Sequence, residues 1–320
     1  MLKYLIIYLD DTATSFCHYD NNATERKLMA LDLLKKAIVW SMKENLMVQF
    51  VCPDSPLPEE YKDLISEIDH ISIVSSGCED MELSNDADIM VINDWDALNC
   101  IEPIYDQTYV IRTTLTDLLK SKSELSQLLS KVSRINIVIK DVASLTADKQ
   151  YDYSGFLKAI SATICDEYAK DHPVQLNILT DRMMLDEMNN CNAGSESVTL
   201  APDGKFYICP AFYFDGKNGY SIGDLENGLD IKNSQLYRLD HAPICRICDA
   251  WQCKRCVWLN RKMTFDINTP SHEQCVISHI EREASRQLLA KIRKIGEFLP
   301  DKEIPEIDYL DPLDKLLQQY

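Results

Sequence analysis

The chain has 320 residues, 46% of them hydrophobic, so it is long enough to bury one large core or two smaller ones. Its formal net charge of −18 argues against a nucleic-acid partner, because phosphate backbones are bound by clusters of Lys and Arg, and is typical of a soluble protein or of one with a basic partner. No apolar run approaches the ~20 residues of a membrane span, and the run at 4–9 meets Asp10 and Asp11 with no cleavage site, so we expect a cytoplasmic protein without a membrane partner.

The first 185 residues alternate short apolar runs with amphipathic helical patterns. This alternation predicts an α/β fold with a parallel sheet and crossover helices, and leaves open whether the sheet closes into a barrel. Strands are predicted at 3–9, 46–51, 70–76, 87–93, 108–113, 134–140 and 174–180. Helices are predicted from Glu25, capped by Thr24, to Asn45, and over 59–68, 115–132 and 153–171.

The second part of the chain has more turns. The stretch VTLAPDGKFYICP, residues 198–210, predicts a β-hairpin around an Asp-Gly turn, with Cys209 at the end of its second strand. A helix is predicted from Cys275 to Phe298, where Pro300 follows, and the tail is expected to be extended and then briefly helical.

Glycine is scarce early in the chain. Only Gly77 and Gly155 occur before residue 190, and no two glycines are adjacent anywhere. A dinucleotide-binding fingerprint or a phosphate loop needs several glycines just after an early strand, so the sequence argues against nucleotide binding by those routes.

Seven of the twelve cysteines fall in one 85-residue segment: Cys191, Cys209, Cys245, Cys248, Cys253, Cys256 and Cys275. In a cytosolic chain such clustering indicates metal ligands rather than disulfides. The central CRICDAWQCKRC holds two C-x2-C pairs only four residues apart, which is too close for both pairs to bind one zinc ion in relaxed geometry. Two iron–sulfur centres that share the segment fit better, with zinc as the alternative. Seven cysteines leave one centre a ligand short, and His272 offers an imidazole as an eighth ligand.

The order C-x12-G-x4-C, C-x2-C, C-x2-C, C over residues 186–280 resembles the SPASM domain of radical SAM peptide-modifying enzymes. Two inner gaps are each one residue shorter than is usual in that family. The resemblance implies two [4Fe–4S] clusters. One would be held by Cys245, Cys248, Cys253 and Cys275, and the other by Cys191, Cys209 and Cys256 with an open position for a peptide thiol or another ligand.

The N-terminal half resembles a radical SAM core that has lost its own cluster motif. The family places C-x3-C-x2-C in the loop after the first strand, whereas this chain has Cys17, Asn21 and Thr24 at those positions. The Gly-Gly-Glu motif after the second strand is replaced by VCPDSP. The resemblance thus implies a degenerate, partial (β/α) barrel, and S-adenosylmethionine is not assigned as a cofactor.

Along its full length the chain, from KYLIIYLDDTATSFCHYDN onward, resembles maturases of CXXX-repeat peptides. This implies a degenerate radical SAM-like domain over 1–185, a SPASM iron–sulfur domain over 186–280, and a C-terminal helix with a docking tail over 281–320. The implied function is maturation of a ribosomally made cysteine-repeat precursor, with an electron donor or a second modifying enzyme as a further partner. Two alternatives stay open: a non-catalytic adaptor that presents the precursor, and a zinc-stabilised binding protein.

Overall fold

The predicted alternation of strands and helices is found in both of the units into which the chain divides. The structure is a computed structural model that describes residues 2–216 and 219–317. The first unit comprises Met1–Asn93 and Cys191–His241, and the second Asp94–Asn190 and Ala242–Tyr320. The three predicted functional domains stay a prediction, because a division by packing does not test them.

The strands, in chain order, are β1 (Tyr4–Tyr8), β2 (Met47–Val51), β3 (His70–Ser75), β4 (Ile89–Ile92), β5 (Thr108–Thr113), β6 (Arg134–Ile139), β7 (Gln175–Leu176), β8 (Ser197–Leu200), β9 (Lys205–Tyr207), β10 (Ser221–Asp224) and β11 (Gly228–Leu229). The helices are α1 (Leu31–Lys43), α2 (Glu59–Ser66), α3 (Met81–Asp86), α4 (Leu115–Lys120), α5 (Lys122–Leu129), α6 (Ala147–Ala169), α7 (Asp181–Met184), α8 (Pro210–Phe214), α9 (Val257–Thr264), α10 (His272–Ile292) and α11 (Pro312–Leu317). In the described ranges, no helix combines the length and apolar character that a membrane crossing requires.

In the first unit the strands follow the order β11-β10-β9-β8-β1-β2-β3-β4. The strands β8, β1, β2, β3 and β4 are parallel, whereas β9, β10 and β11 add on in antiparallel fashion. The central strand β1 pairs on both sides, with Leu5 opposite Val48 and Val198, and its side chains are almost all buried. This burial explains its continuous apolar sequence, which is typical of a parallel strand covered on both faces.

In the second unit β5, β6 and β7 are parallel neighbours, and α6 packs against α10. The hydroxyl of Tyr153 on α6 donates to Oε1 of Glu281 on α10 at 2.7 Å, and both side chains are buried. The predicted parallel α/β architecture is therefore present in this unit as well.

Helix α1 begins at Leu31, not at Glu25 as predicted. The residues before it are extended because the N–H of Met29 donates to the carbonyl of Leu9 at 2.7 Å, and the N–H of Asp11 donates to that of Lys27 at 3.2 Å. Pairing with the chain after β1 thus takes the backbone groups that a first helical turn would use.

The last predicted strand of the N-terminal half, 174–180, is only two residues long in the structure. The side chain of Asn177 takes over the pairing, since it bonds both the N–H and the carbonyl of Ile137 at 2.8 and 3.0 Å. Two further boundaries differ: the predicted helix 115–132 is broken at Ser121, and α6 begins at Ala147, where Thr146 caps it.

The C-terminal predictions hold with shifted ends. The predicted hairpin is formed by β8 and β9. The turn between them contains Gly204 with φ = +82°, a backbone conformation that residues other than glycine rarely adopt. Helix α10 begins three residues earlier than predicted, at His272, because Ser271 and Gln274 form a reciprocal capping box. It ends at Ile292, before the predicted end, and Arg293 then bonds the carbonyls of Phe298 and Lys302.

Candidate metal centre

Four of the seven predicted ligands are near one another in the second unit: Cys245, Cys248, Cys253 and Cys275, the four-cysteine group. Burial, followed by the neighbouring thiolates of Cys253 and Cys248, raises the pKa of Cys245 to about 12. Burial also raises the pKa of Cys275, with smaller contributions from Asp311 and from the other three thiolates. The group therefore has the electrostatics of sulfurs that repel one another when ionised, which a bound cation would relieve.

As the side chains lie, however, no set of three or more His, Cys, Asp or Glu among residues 2–216 and 219–317 is arranged so that it could hold a metal ion. The four thiols are neighbours without being placed as ligands. Their surroundings contain hydrogen-bond donors to sulfur and two buried arginines, and both affect which group the thiols could bind.

Backbone amides are directed at two of these sulfurs. The N–H of Ala250 donates to Sγ of Cys248, and the N–H of Arg255 donates to Sγ of Cys253, each at 3.4 Å. Arg255 has φ = +40°, so the chain turns back sharply enough for its amide to reach the sulfur two residues earlier. Burial raises the pKa of both cysteines, and each amide bond opposes that rise, because an N–H···S bond stabilises a thiolate more than a thiol.

Two buried arginines hold the residue between the cysteine pairs. The guanidinium of Arg282 binds the carboxylate of Asp249 through two hydrogen bonds of 2.8 and 2.7 Å. Nε of Arg182 donates to the backbone carbonyl of Asp249 at 2.5 Å, and its Nη2 reaches the carboxylate at 3.3 Å. The same guanidinium stacks on the ring of Trp251, 3.9 Å from the centroid. We call Arg182, Asp249 and Arg282 the arginine clamp.

The arginine clamp places two buried arginines around the carboxylate of Asp249, and Arg282 also pairs with Glu283. The arginine side chains are 1% and 0% exposed, yet they share one carboxylate. Their Nη1 atoms donate no hydrogen bond within the described part of the chain, although Nη1 of Arg282 is 3.8 Å from a carboxylate oxygen of Glu283. Buried charges are stable only when they are compensated. Burial lowers the pKa of Arg182 and raises that of Cys248 to about 11, and smaller electrostatic contributions oppose both shifts, since a thiolate at Cys248 raises the pKa of Arg182 and Arg282 lowers the pKa of Cys248.

By residue type, though not by the present arrangement of the side chains, this region has the donors of an anionic metal–thiolate group. Four thiols are neighbours there, amides donate to two of them, and two buried arginines hold the residue that follows Cys248. A [4Fe–4S] cluster with four thiolates or a zinc ion with four thiolates would each carry net negative charge, so the fit does not choose between them.

A buried imidazole beside the four-cysteine group was not predicted from the sequence. Nδ1 of His279 donates to the carbonyl of Cys275 at 2.8 Å, so the lone pair of Nε2 faces Sγ of Cys248 at 3.6 Å. His279 stands four residues after Cys275 on α10, and this spacing was the signal that could have identified it. His272, the imidazole considered as an eighth ligand, instead pairs with Asp311 at 2.7 Å.

Of the remaining three predicted ligands, two belong to the first unit and one to the second. Cys191 is exposed in the first unit, and Cys209 precedes α8 there, half-buried. Cys256 is half-buried in the second unit, directly before α9. The predicted Cys191, Cys209 and Cys256 centre stays a prediction.

The loop after β1, residues 10–24, is where the resemblance predicts the position of a radical SAM cluster motif; we call it the Cys17 loop. Asn21 occupies the position of the second family cysteine. Its side-chain amide donates to the carbonyls of Asp11 and Ala13 at 2.7 and 2.8 Å, and its oxygen accepts from the N–H of Ala23 at 2.9 Å. Asn21 thus fixes the loop by the hydrogen bonds of its own side chain.

Aromatic side chains cluster at the same loop. Phe214 lies against Tyr8 and Tyr19 with ring centroids 5.2 and 5.6 Å apart, and Phe16 lies 6.4 and 6.3 Å from the same two rings. The hydroxyls of Tyr8 and Tyr19 are hydrogen-bonded to each other. With one cysteine, an Asn that bonds backbone and an exposed Thr24, the residues of the Cys17 loop do not fit a cluster.

The two carboxylates that open the Cys17 loop have protein partners. Asp10 accepts from the N–H and the hydroxyl of Thr12 at 2.8 and 2.6 Å and from Arg26 at 3.2 Å. Asp11 accepts from the hydroxyl of Tyr213 at 2.5 Å, and burial, opposed by that bond, raises its pKa. Both carboxylates therefore hold the loop in place, the role of polar loop capping.

The chain was compared with known proteins. No protein-family model matches it, and no curated protein sequence does. Two solved structures resemble it over 92% of this chain and 100% of theirs: native anSMEcpe with bound AdoMet and Cp18Cys peptide, with a TM-score of 0.58 and 12% identity, and hexahistidine-tagged anSMEcpe with bound AdoMet, with a TM-score of 0.59 and 10% identity. At such identities the similarity establishes the fold, which confirms the predicted fold class: this chain has an α/β, radical SAM-like fold.

Proposed function

We propose that the chain takes part in the maturation of a ribosomally made, cysteine-containing peptide of the CXXX-repeat type, and that the four-cysteine group holds an iron–sulfur cluster for this purpose. The observation that carries the proposal is the surroundings of that group: four neighbouring thiols, amide donors to Cys248 and Cys253, and the two buried arginines of the arginine clamp. A [4Fe–4S] cluster bound there would supply one-electron transfer.

The residues of the chain itself have two tasks in this proposal. The amides of Ala250 and Arg255 hold negative charge on sulfur, and the buried indole of Trp258, which follows Cys256 by two residues, helps to keep water away. The set Cys191, Cys209 and Cys256 would hold the second cluster, with its open position available to a thiol of the precursor. The similar structure of native anSMEcpe contains a bound Cp18Cys peptide, which supports a cysteine-containing partner.

S-adenosylmethionine has no step in this proposal. The similar structures contain AdoMet, but the Cys17 loop of this chain lacks the thiols that a radical SAM cluster needs. Any chemistry on the precursor would then depend on the clusters of the cysteine segment and on an external electron donor.

The first test is metal analysis of chain that has been purified anaerobically and reconstituted with iron and sulfide. We expect about eight irons with matching sulfide per chain, and an EPR signal after reduction. Addition of a CXXX-repeat peptide should change the EPR spectrum, whereas the same peptide with serine in place of cysteine should not. One or two zinc ions without sulfide would instead support the zinc-stabilised binding protein. Spectra that ignore the cysteine peptide would contradict the proposed substrate.

A non-catalytic adaptor is the second candidate, favoured by the Cys17 loop, where Asn21 and packed aromatic rings occupy the position of the catalytic motif. An adaptor would bind the precursor, yet chain and reductant alone would leave the mass of the peptide unchanged. A mass change that appears only when a second modifying enzyme is added would favour the adaptor over the maturase. A mass change with the chain alone would exclude it.

A further inference from the structure

A groove of about 380 Å³ lies between α6 and α10 in the second unit, and none of the described residues that line it is a cysteine. Its volume is within the ~300–1,000 Å³ that is typical of ligand sites. Lys158 and Ser161 line the groove from α6, and Ala284, Gln287 and Lys291 line it from α10. Both sets follow the spacing of three or four residues that places side chains on one face of a helix. The groove is therefore formed mainly by two helix faces.

The two helices run in the same direction. The hydroxyl of Tyr153 on α6 bonds Glu281 on α10 at 2.7 Å, and further along both helices the ammonium of Lys291 acts electrostatically on Cys165. Lys158 and Lys291 both follow the Tyr153–Glu281 bond along their helices. The two lysines therefore lie toward the same end of the groove, which we call its basic end.

The positive charge of the basic end has no acidic partner. Among the described residues, no acidic side chain forms an ion pair with Lys158 or Lys291. Glu283 also lines the groove, but it pairs with Arg282 and Arg286 of its own helix. In a chain with a net charge of −18, a groove with two such lysines favours an acidic ligand by charge complementarity.

The opposite end of the groove, before the hydrogen bond that joins the helices, presents apolar side chains. Tyr151 on α6 and Ile280 on α10 line it there, and Tyr151 is 83% exposed. Leu310 also lines the groove and follows Tyr309, whose ring centroid is 5.6 Å from that of His279 on α10. An exposed tyrosine beside aliphatic side chains is typical of an anchor for an apolar residue of a binding partner.

We propose that this groove is a docking site for an extended, acidic segment of a peptide partner. An apolar residue of the segment packs on Tyr151, and a carboxylate three positions away binds Lys158 and Lys291. Along α6, Tyr151 and Lys158 are about 10 Å apart at ~1.5 Å per residue. Three residues of polyproline II span about 9 Å and bring the first and fourth side chains to one face. The docking site needs no cluster, so the inference goes beyond the proposed function.

The test uses the full chain and a labelled probe peptide without cysteine, in which leucine and glutamate flank two prolines that favour polyproline II. We expect saturable binding in fluorescence anisotropy. A probe with glutamine in place of glutamate, or with one proline instead of two, should bind at least about fivefold more weakly. Absence of binding, or equal binding of the three probes, overturns the docking site.

Variants of the chain locate the binding. Lys158→Gln and Lys291→Gln should each weaken binding of the first probe at least about threefold, because each removes one ammonium from the basic end. Lys294→Gln is the matched control, since it removes the same charge at an exposed position after α10 and outside the groove, and the affinity should not change. An equal loss in all three variants would mean general attraction of the probe to lysines and would overturn the proposal.

A groove-filling variant gives a test that does not involve charge. Ala284→Phe places a ring in the groove, so it should abolish binding while the circular dichroism spectrum stays that of the wild type. Retained binding would contradict the docking site. If this variant does not fold, Tyr151→Ala at its exposed position serves instead and should weaken binding about fivefold.

Iron and sulfide uptake by the same chain is a separate measurement. A chain that takes up iron and sulfide but does not bind the probe overturns the docking site alone. A chain that binds the probe but takes up no iron overturns the proposed function alone.

Discussion

The four-cysteine group and the Cys17 loop stand at positions where the resembling family binds iron–sulfur clusters, and their surroundings differ. Around the four-cysteine group, amides donate to sulfur and two buried arginines hold Asp249. Around the Cys17 loop, hydrogen bonds of Asn21 and rings such as Tyr19 and Phe214 occupy the space. The comparison teaches that a loop without metal ligands is recognisable by the side chains that fill it, as well as by its few cysteines.

The largest effect that would test this comparison is loss of a cluster. Cys253→Ala removes a thiol that accepts an amide hydrogen bond within the four-cysteine group, so we expect iron per chain to fall from about eight to about four. Cys17→Ala, the matched change in the other region, should leave the iron content unchanged. Iron and sulfide assays on the two variants check this. An equal loss of iron in both would mean that the Cys17 loop also takes part in binding a cluster.

The next largest expected effect concerns Glu281, a buried acid in the unit of the four-cysteine group. On α10, the helix of Cys275, burial raises the pKa of Glu281 from 4.5 to about 7, against the opposing hydrogen bond from Tyr153. Because the pKa is higher in the folded than in the unfolded chain, this group stabilises the fold fully below pH 4.5, and that stability is lost as the pH rises through 7. The difference corresponds to on the order of 3 kcal/mol.

Glu281→Gln should therefore flatten the dependence of unfolding free energy on pH between about 4.5 and 7. Urea unfolding at several pH values measures this. Glu297→Gln, a change at an exposed position after α10, should leave the slope of the wild type. If Glu281→Gln kept that slope, its carboxyl would not be the group that titrates.

Introducing the two family cysteines into the Cys17 loop tests the other region of the comparison. Asn21→Cys with Thr24→Cys recreates the family spacing with Cys17 but removes the hydrogen bonds from Asn21 to Asp11 and Ala13. We expect about 2 kcal/mol less unfolding free energy and no additional iron, because the aromatic rings still fill the loop. Thr24→Cys alone, at an exposed position, should change neither. A gain of about four irons would show that the loop has kept room for a cluster.

The parts of this picture that follow local patterns were predictable. The strand at 4–8, the hairpin around Gly204 and the helix that carries Cys275 are marked by apolar runs, an Asp-Gly turn and a capping box. The start of α1 was missed because Met29 pairs with Leu9, twenty residues away, and helical periodicity does not report such a partner.

In the candidate site, too, features marked by local sequence patterns were predictable, and features that depend on distant contacts were not. The clustering of cysteines gave the candidate ligands, and resemblance gave their grouping. The arginine clamp was not predictable, because Arg182 and Arg282 stand 67 and 33 residues from Asp249 and resemble ordinary helix-surface residues in sequence. Burial of a charge depends on the tertiary fold, so it leaves no local signal.

The smallest expected effect concerns Asp11, the counterpart of Glu281 in the Cys17 loop. Burial raises the pKa of Asp11, and the hydrogen bond from Tyr213 holds that rise down. Tyr213→Phe should therefore raise the pKa of Asp11 further and cost about 1 kcal/mol of unfolding free energy at neutral pH, where the carboxylate loses its donor. The cost should shrink as the pH falls through the pKa of Asp11, since a protonated carboxyl needs that donor less. Carboxyl NMR titration measures the pKa, urea unfolding at several pH values measures the cost, and Tyr220→Phe is the matched control for both. An unchanged pKa of Asp11 would mean that Tyr213 acts through ring packing on Phe214 alone, and the Cys17 loop would then be held by its aromatic cluster rather than by its polar contacts.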